Sequence, residues 1–207
     1  MRWLLFILIV LYLTTYRSEE MEIQMKTEQM LYSTVSIKTN SGHGSGVIIA
    51  SRDGITLVLT AKHVVRNAKK PRIRVYPDET EYKATVVARS KKYDLAILSF
   101  EGTHPYVADI STDLDPSVFE KIYKVGAGHS LDPYPGVGMI TAIEDDLMQV
   151  DCGVVMGDSG GPLFVKVDGN YHLVGIIMAV GMLGPTTPIY HQGYAVGITA
   201  IWDFLSE

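Results

Sequence analysis

The chain is expected to be all-β, a barrel or a sandwich. Three observations predict this. Short apolar or alternating runs recur from Leu31 onward, glycine-bearing turns separate them, and only Ile201-Trp202-Asp203-Phe204-Leu205 near the C-terminus has a helical pattern. A length of 207 residues suits one large β domain or two small ones, and 47% hydrophobic with 20% charged residues reads as globular. Cys152 is the single cysteine, so no internal disulfide can form and the core must hold the fold. The net charge of −5 argues against a nucleic-acid-binding surface. The pairs Lys69-Lys70 and Lys91-Lys92 are too short to change that and read as solvated loops.

The elements follow in order. Arg2 precedes an apolar run over residues 3–13, which suits a signal-peptide core and falls short of the ~20 residues of a membrane span. Residues 1–17 are therefore read as a signal peptide or an N-terminal anchor, attached through residues 3–16. Glu19, Glu20 and Glu22 follow the run, so the charge asymmetry puts the body outside the cytoplasm. Residues 18–30, polar and dotted with methionine, read as a connector or short helix. Strands are expected over 35–37, 47–50, 55–60, 72–76, 84–88 and 94–100. Residues 42–46 read as a glycine-rich turn, and Arg52-Asp53-Gly54 as a hairpin turn. Residues 101–116, acidic and proline-bearing, read as a boundary between a first unit over about 31–110 and a second over about 117–207. Further strands are expected over 121–125, 138–143, 148–151, 161–167, 171–180 and 193–198, with a hairpin turn at Asp168-Gly169-Asn170.

The chemistry is concentrated at Gly157-Asp158-Ser159-Gly160-Gly161-Pro162. Glycines let this backbone turn tightly, present the Ser159 hydroxyl, and aim the Gly157 and Ser159 amides at one spot where an oxyanion could form. A serine is a weak nucleophile without a base and an orienter. His63 in Thr60-Ala61-Lys62-His63-Val64-Val65 and Asp94 in Tyr93-Asp94-Leu95-Ala96-Ile97-Leu98 supply both, in the order His, Asp, Ser. The α/β-hydrolase elbow, which needs Ser, acid, His between parallel strands, does not fit. Lys62 is expected to point away from the site, as a strand neighbour does. His43, His104, His129, His172 and His191 are scattered without a His-Glu-x-x-His pair, so no metal is expected. Cys152, in an apolar run, reads as a buried hydrophobe. Residues 42–46 precede no helix, so no dinucleotide cofactor is expected, nor any other.

These blocks resemble the trypsin-like serine proteases of the chymotrypsin clan, and most nearly their minimal bacterial and phage forms related to HtrA/Deg. Gly44-Ser45-Gly46-Val47-Ile48-Ile49, the His63 and Asp94 blocks and the Ser159 block match in order, as do Val174-Gly175-Ile176 and Gly193-Tyr194-Ala195-Val196. The resemblance implies two six-stranded antiparallel β-barrels with a short C-terminal helix and a cleft between them, His63 and Asp94 from the first and Ser159 from the second. It implies serine endopeptidase activity on polypeptide substrates through an acyl-enzyme. The chain as read ends at Glu207, so a form without a PDZ domain is expected. No Ile-Val-Gly-Gly activation start is present, and the sequence names no partner for Asp158. By the resemblance, the primary specificity pocket is floored at Gly153 and walled by Val180 and Gly193. With no acid at the floor a buried Lys or Arg would be uncompensated, and Val180 would narrow the slot. Cleavage after Val, Ala, Ile or Leu is expected. Two alternatives stay open: a self-processing or morphogenesis protease with a single partner substrate, and an inert binding module on the same fold. The oligomeric state is not legible.

Overall fold

The computed structural model describes all residues except 1, 41, 112–113 and 128–131, and no side chains for 2–11 and 13. The chain opens with helix α1 (Arg2–Tyr32). Residues 18–30 are thus helical, the latter part of α1. The apolar run over 3–13 falls, Tyr12 apart, on side chains outside those described, and His129 lies outside the described residues altogether. Among the described residues, no helix is long and apolar enough to cross a membrane.

Strands β1 (Thr34–Thr39), β2 (Gly42–Arg52), β3 (Ile55–Ala61), β4 (Arg72–Arg74), β5 (Glu81–Arg89) and β6 (Leu95–Glu101) follow. They close into a barrel in the order β1-β2-β3-β6-β5-β4. After a linker come β7 (Lys121–Gly126), β8 (Tyr134–Glu144), β9 (Leu147–Asp151), β10 (Pro162–Val167), β11 (Asn170–Leu183) and β12 (Thr187–Gly197). These close a second barrel in the order β10-β11-β12-β9-β8-β7. Helix α2 (Ile198–Leu205) ends the fold. Among the described residues the pairings between these strands are antiparallel, which is the two-barrel architecture that the resemblance implies.

Local chemistry explains most boundaries. Asp53 and Gly54 both have left-handed φ, +54° and +77°, as do Asp168 and Gly169 at +48° and +81°, which suits two-residue hairpin turns. Residues 42–46, expected as a turn, are instead the start of β2, paired with β1 from Thr39↔Gly42 to Val35↔Gly46. The glycines there serve packing: a Cβ on Gly46 would lie 2.7 Å from Val58 Cγ1 and 2.9 Å from Ile37 Cδ1.

Among the described residues three apolar cores result. Ile37, Ile48, Val58 and Leu98 fill the first barrel, and Ile122, Ile140, Leu163 and Ile177 the second. The third lies between the barrels, where Val47, Leu59 and Leu95 meet Phe164, Leu173 and Ile176, sealed by Met30 of α1 and by Ile198, Ile201 and Phe204 of α2. Of the expected boundary 101–116, Glu101 ends β6 and the described residues 102–111 run along this seam outside the named strands. They are bonded to both sides, Ala108 N–H to Ile48 O at 2.9 Å and Leu173 N–H to Asp109 O at 2.8 Å.

Candidate active site

Strand β3 ends at Ala61, paired with Leu95 at the start of β6, and runs into a 3₁₀ turn (Lys62–Val65). That register puts Asp94 beside the turn. The His63 N–H donates to Asp94 Oδ1 at 2.9 Å, and His63 Nδ1 lies 2.6 Å from Asp94 Oδ2. Because a carboxylate accepts, the proton of the neutral ring sits on Nδ1 and the lone pair is left on Nε2. Burial raises the Asp94 carboxyl, but the hydrogen bond and charge of His63, its amide and Lys62 outweigh that and hold it below the usual carboxylate range. Lys62 does not face away along a strand. Within the 3₁₀ turn its Nζ donates to Ser90 O at 2.9 Å, tying the turn to the β5–β6 connection.

Ser159 sits in the turn between β9 and β10. The Asp158 N–H donates to Val155 O at 3.1 Å, Gly161 N–H to Asp158 O at 2.8 Å and Gly160 N–H to Ile177 O at 2.7 Å. Gly157 and Gly160 have φ of +98° and +86°, a region that side chains with a Cβ rarely adopt. Space forbids a Cβ as well. On Gly160 it would lie 2.1 Å from Ser45 O and 2.2 Å from Thr60 Oγ1. The serine turn is therefore pressed onto β2 and the end of β3, just ahead of His63. It is bonded there too: Ser45 N–H to Ser159 O and Ser45 Oγ–H to Gly157 O, both at 2.8 Å. A Cβ on Gly44 would meet both Val64 Cγ1 at 2.8 Å and Ser159 O at 3.0 Å. The residue after His63 and the backbone of Ser159 thus flank one point of β2. Ser159 Oγ donates to Met178 O on β11 at 3.3 Å. Of the three residues expected from sequence, His63 and Asp94 are in direct contact, and the backbone of Ser159, from the second barrel, is bonded to β2 beside the His63 turn. Among the described residues the Ser159 hydroxyl is bonded to Met178 O and not to His63, and an acyl transfer by these groups would need it to turn from that carbonyl to the imidazole.

Of the three expected pocket residues, Val180 and Gly193 are direct partners across β11 and β12, and Gly193 also pairs with Val150 of β9. Gly153 follows β9 with φ +66°. Sequence reasoning missed Val154. A Cβ on Gly193 would lie 2.4 Å from Val154 Cγ2, so the fully buried Val154 occupies the space before Gly193.

Sequence reasoning also missed the partners of Asp158. Its carboxylate pairs with the Lys124 ammonium and accepts from the Tyr134 hydroxyl, while Oδ2 accepts from the Val155 N–H at 3.0 Å. A signal was present. Ile122, Lys124 and Gly126 alternate onto the inward face of β7, so a lysine stands where an apolar residue is expected. Cys152 is buried in the second barrel's core, and burial pushes its thiol up to about 12, so it supplies no ready thiolate.

Two barrels, a His–Asp pair from one and a glycine-bounded serine turn from the other define the chymotrypsin-like class. The trypsin-like peptidase domain model matches residues 44–176. The serine protease Do-like HtrA of Bacillus subtilis is 30% identical over 160 residues, covering 70% of this chain and 35% of that protein. A probable periplasmic serine endoprotease DegP-like of Pseudomonas fluorescens is 30% identical over 129 residues, 58% of this chain and 26% of that one. The crystal structure of the serine endoprotease from Yersinia pestis shares the fold, with a TM-score of 0.74 at 23% identity, over 89% of this chain and 65% of that one. The chain spans about a third of the length of the curated relatives it matches. It belongs to the trypsin-like peptidase family.

Proposed function

We propose that the chain is a serine endopeptidase that hydrolyses peptide bonds through an acyl-enzyme. Ser159 attacks the scissile carbonyl while His63 Nε2 takes its proton and then gives it to the leaving amine. Asp94 fixes the ring tautomer and stabilises the imidazolium, and the Gly157 and Ser159 amides receive the oxyanion. The observation that carries this reading is the two-point grip of Asp94 on His63, 2.9 and 2.6 Å, beside a Ser159 turn bonded to the same barrel. Relatives named as serine proteases support it.

Small and medium aliphatic P1 residues are the proposed preference, because Gly153, Val154, Val180 and Gly193 offer no charge and the buried Val154 takes up the space before Gly193. An extracytoplasmic place for the body, reached by a signal peptide or kept by an anchor over residues 3–16, accords with the periplasmic name of one relative. A fluorophosphonate probe and a peptide library on the purified protein test the reading. Labelling at Ser159, with turnover lost in Ser159→Ala, is expected. No labelling would favour an inert binding module on this fold. Turnover persisting in Ser159→Ala would sink the assignment.

A further inference from the structure

The Asp158 carboxylate sits at the hinge of the serine turn and is wholly buried. It precedes Ser159, and its side chain points into the second barrel while the Ser159 hydroxyl donates to Met178 O of β11. Its Oδ2 accepts the Val155 N–H at 3.0 Å, and its own N–H donates to Val155 O at 3.1 Å. These two bonds close the turn that carries Gly157 and Ser159. A carboxylate at such a depth is tolerable only when paired and hydrogen-bonded.

The pairing charge comes from inside the barrel. Lys124 is 2% exposed, and its ammonium meets Asp158 Oδ2 and lies 4.6 Å from the Tyr134 ring centroid. The Tyr134 hydroxyl donates to the other carboxylate oxygen. The neighbouring strand is shaped to admit the lysine. Gly136 pairs with Lys124, and a Cβ there would lie 2.7 Å from Lys124 Cε. Gly126 pairs with Tyr134, and a Cβ there would lie 2.0 Å from Asp158 Oδ1. Three polar side chains and two glycines thus make one closed charge site behind the serine turn.

The segment 31–35 ahead of the first barrel is committed elsewhere. Ser33 and Thr34 are fully buried, Ser33 N–H donates to Gln29 O at 3.1 Å, and Ile48 N–H donates to Ser33 O at 2.8 Å.

We propose that Lys124 is a positioning residue, a built-in counter-ion that holds Asp158 and through it keeps the 155–159 turn in the oxyanion-binding shape without any new amino terminus. The proposal rests on the protease reading above. Lys124 does not touch the reacting atoms. It acts through Asp158, so its loss should reach the transition state more than substrate binding.

The test uses the full chain, Lys124→Met, and the charge-neutral pair Lys124→Met/Asp158→Asn. For each, kcat and KM on a cleaved peptide are taken per folded molecule, with near-UV circular dichroism reporting folding. Amide exchange of residues 153–161 is read alongside. In Lys124→Met, kcat should fall by about 10²-fold or more while KM moves only several-fold, since losing one oxyanion donor costs on that order. Exchange over 153–161 should quicken. The neutral pair should fold, slow that exchange again and recover most of the turnover, because no orphaned carboxylate remains. If Lys124→Met fails to fold, the neutral pair and the wild type carry the decision. Wild type whose amino terminus mass spectrometry shows uncut should be fully active. A folded Lys124→Met with wild-type kcat and exchange, or activity only after a cut near 31–35, would overturn the proposal. A folded neutral pair as inactive as the single variant would also overturn it. If wild type neither turns over peptide nor takes the probe at Ser159, the protease reading fails, while the exchange data still decide whether Lys124 holds the turn.

Discussion

Asp94 carries two consequences. It sets the tautomer of His63, so Asp94→Asn should lower kcat by roughly four orders of magnitude with little change in KM, as expected when the wrong ring nitrogen is presented. It also contributes stability with a defined pH sign. The folded carboxyl is held below its ordinary range by His63, so the folded state takes up that proton less readily than the unfolded chain. The contribution is therefore full above the unfolded carboxyl's value, about 4, and is lost as pH falls through the folded one. Urea unfolding at a series of pH values should show the gap between wild type and Asp94→Asn closing as the pH is lowered from about 4. A gap of constant size would uncouple Asp94 from His63. Val154 is the other residue with a sharp expectation. Val154→Ala removes the methyls that fill the space before Gly193. In a P1 library the preference should move toward Leu, Met and Phe, each methylene being worth about 1–3 kcal/mol of discrimination. An unchanged profile would place the pocket elsewhere. Neither role was readable from sequence alone to the same degree: His63 and Asp94 stand in recognisable blocks, whereas Val154 looks like any core valine until β12 is laid against it.

Elements were legible where periodicity speaks and obscure where glycine does. The alternation of β5 and the Asp-Gly hairpin turns could be read directly. The start of β2 could not, because Gly42, Gly44 and Gly46 imitate a turn, and only the packing of β1 and of the 3₁₀ turn against them explains their use. Lys62, expected along a strand, lies with His63 in the 3₁₀ turn just beyond β3, a distinction too short for any period to show. Lys124 broke the apolar pattern of β7, yet its partner is 34 residues away in sequence and only barrel closure joins them. The serine turn is the element most exposed to a single substitution. Gly160→Ala would force a left-handed φ on alanine and a Cβ to 2.1 Å from Ser45 O. The cost should be ~2 kcal/mol or more, read as a lower urea midpoint, with activity lost because the turn must lift from β2. An active Gly160→Ala with an unchanged midpoint would mean that this turn is far looser than its contacts imply.

At the scale of the whole molecule, the number and order of strands were visible in the sequence, but the seam between the barrels was not. Its residues are drawn from β2, β3, β6, β7, β10, β11, β12, both helices and the linker, and no local pattern links them. That seam decides whether a cleft exists. Leu95 follows Asp94, Leu59 precedes Thr60 against the serine turn, and Ile176 lies two residues before Met178, whose carbonyl accepts from Ser159. Phe204 of α2 closes the same core while touching none of the reacting groups. Phe204→Ala should cost about 3–5 kcal/mol, the range for truncating a buried aromatic, and Phe100→Ala, inside the first barrel, should cost a similar amount. The two should differ in catalysis. With both variants held at a temperature where each is fully folded, Phe204→Ala should lower kcat because the barrels lose their fixed relation across the cleft, while Phe100→Ala should leave kcat near wild type. Urea midpoints together with kcat per folded molecule check this. Equal kcat in the two variants would show that the cleft is held by the serine turn's bonds to β2 alone, and that the inter-barrel core supplies stability without setting the geometry of the site.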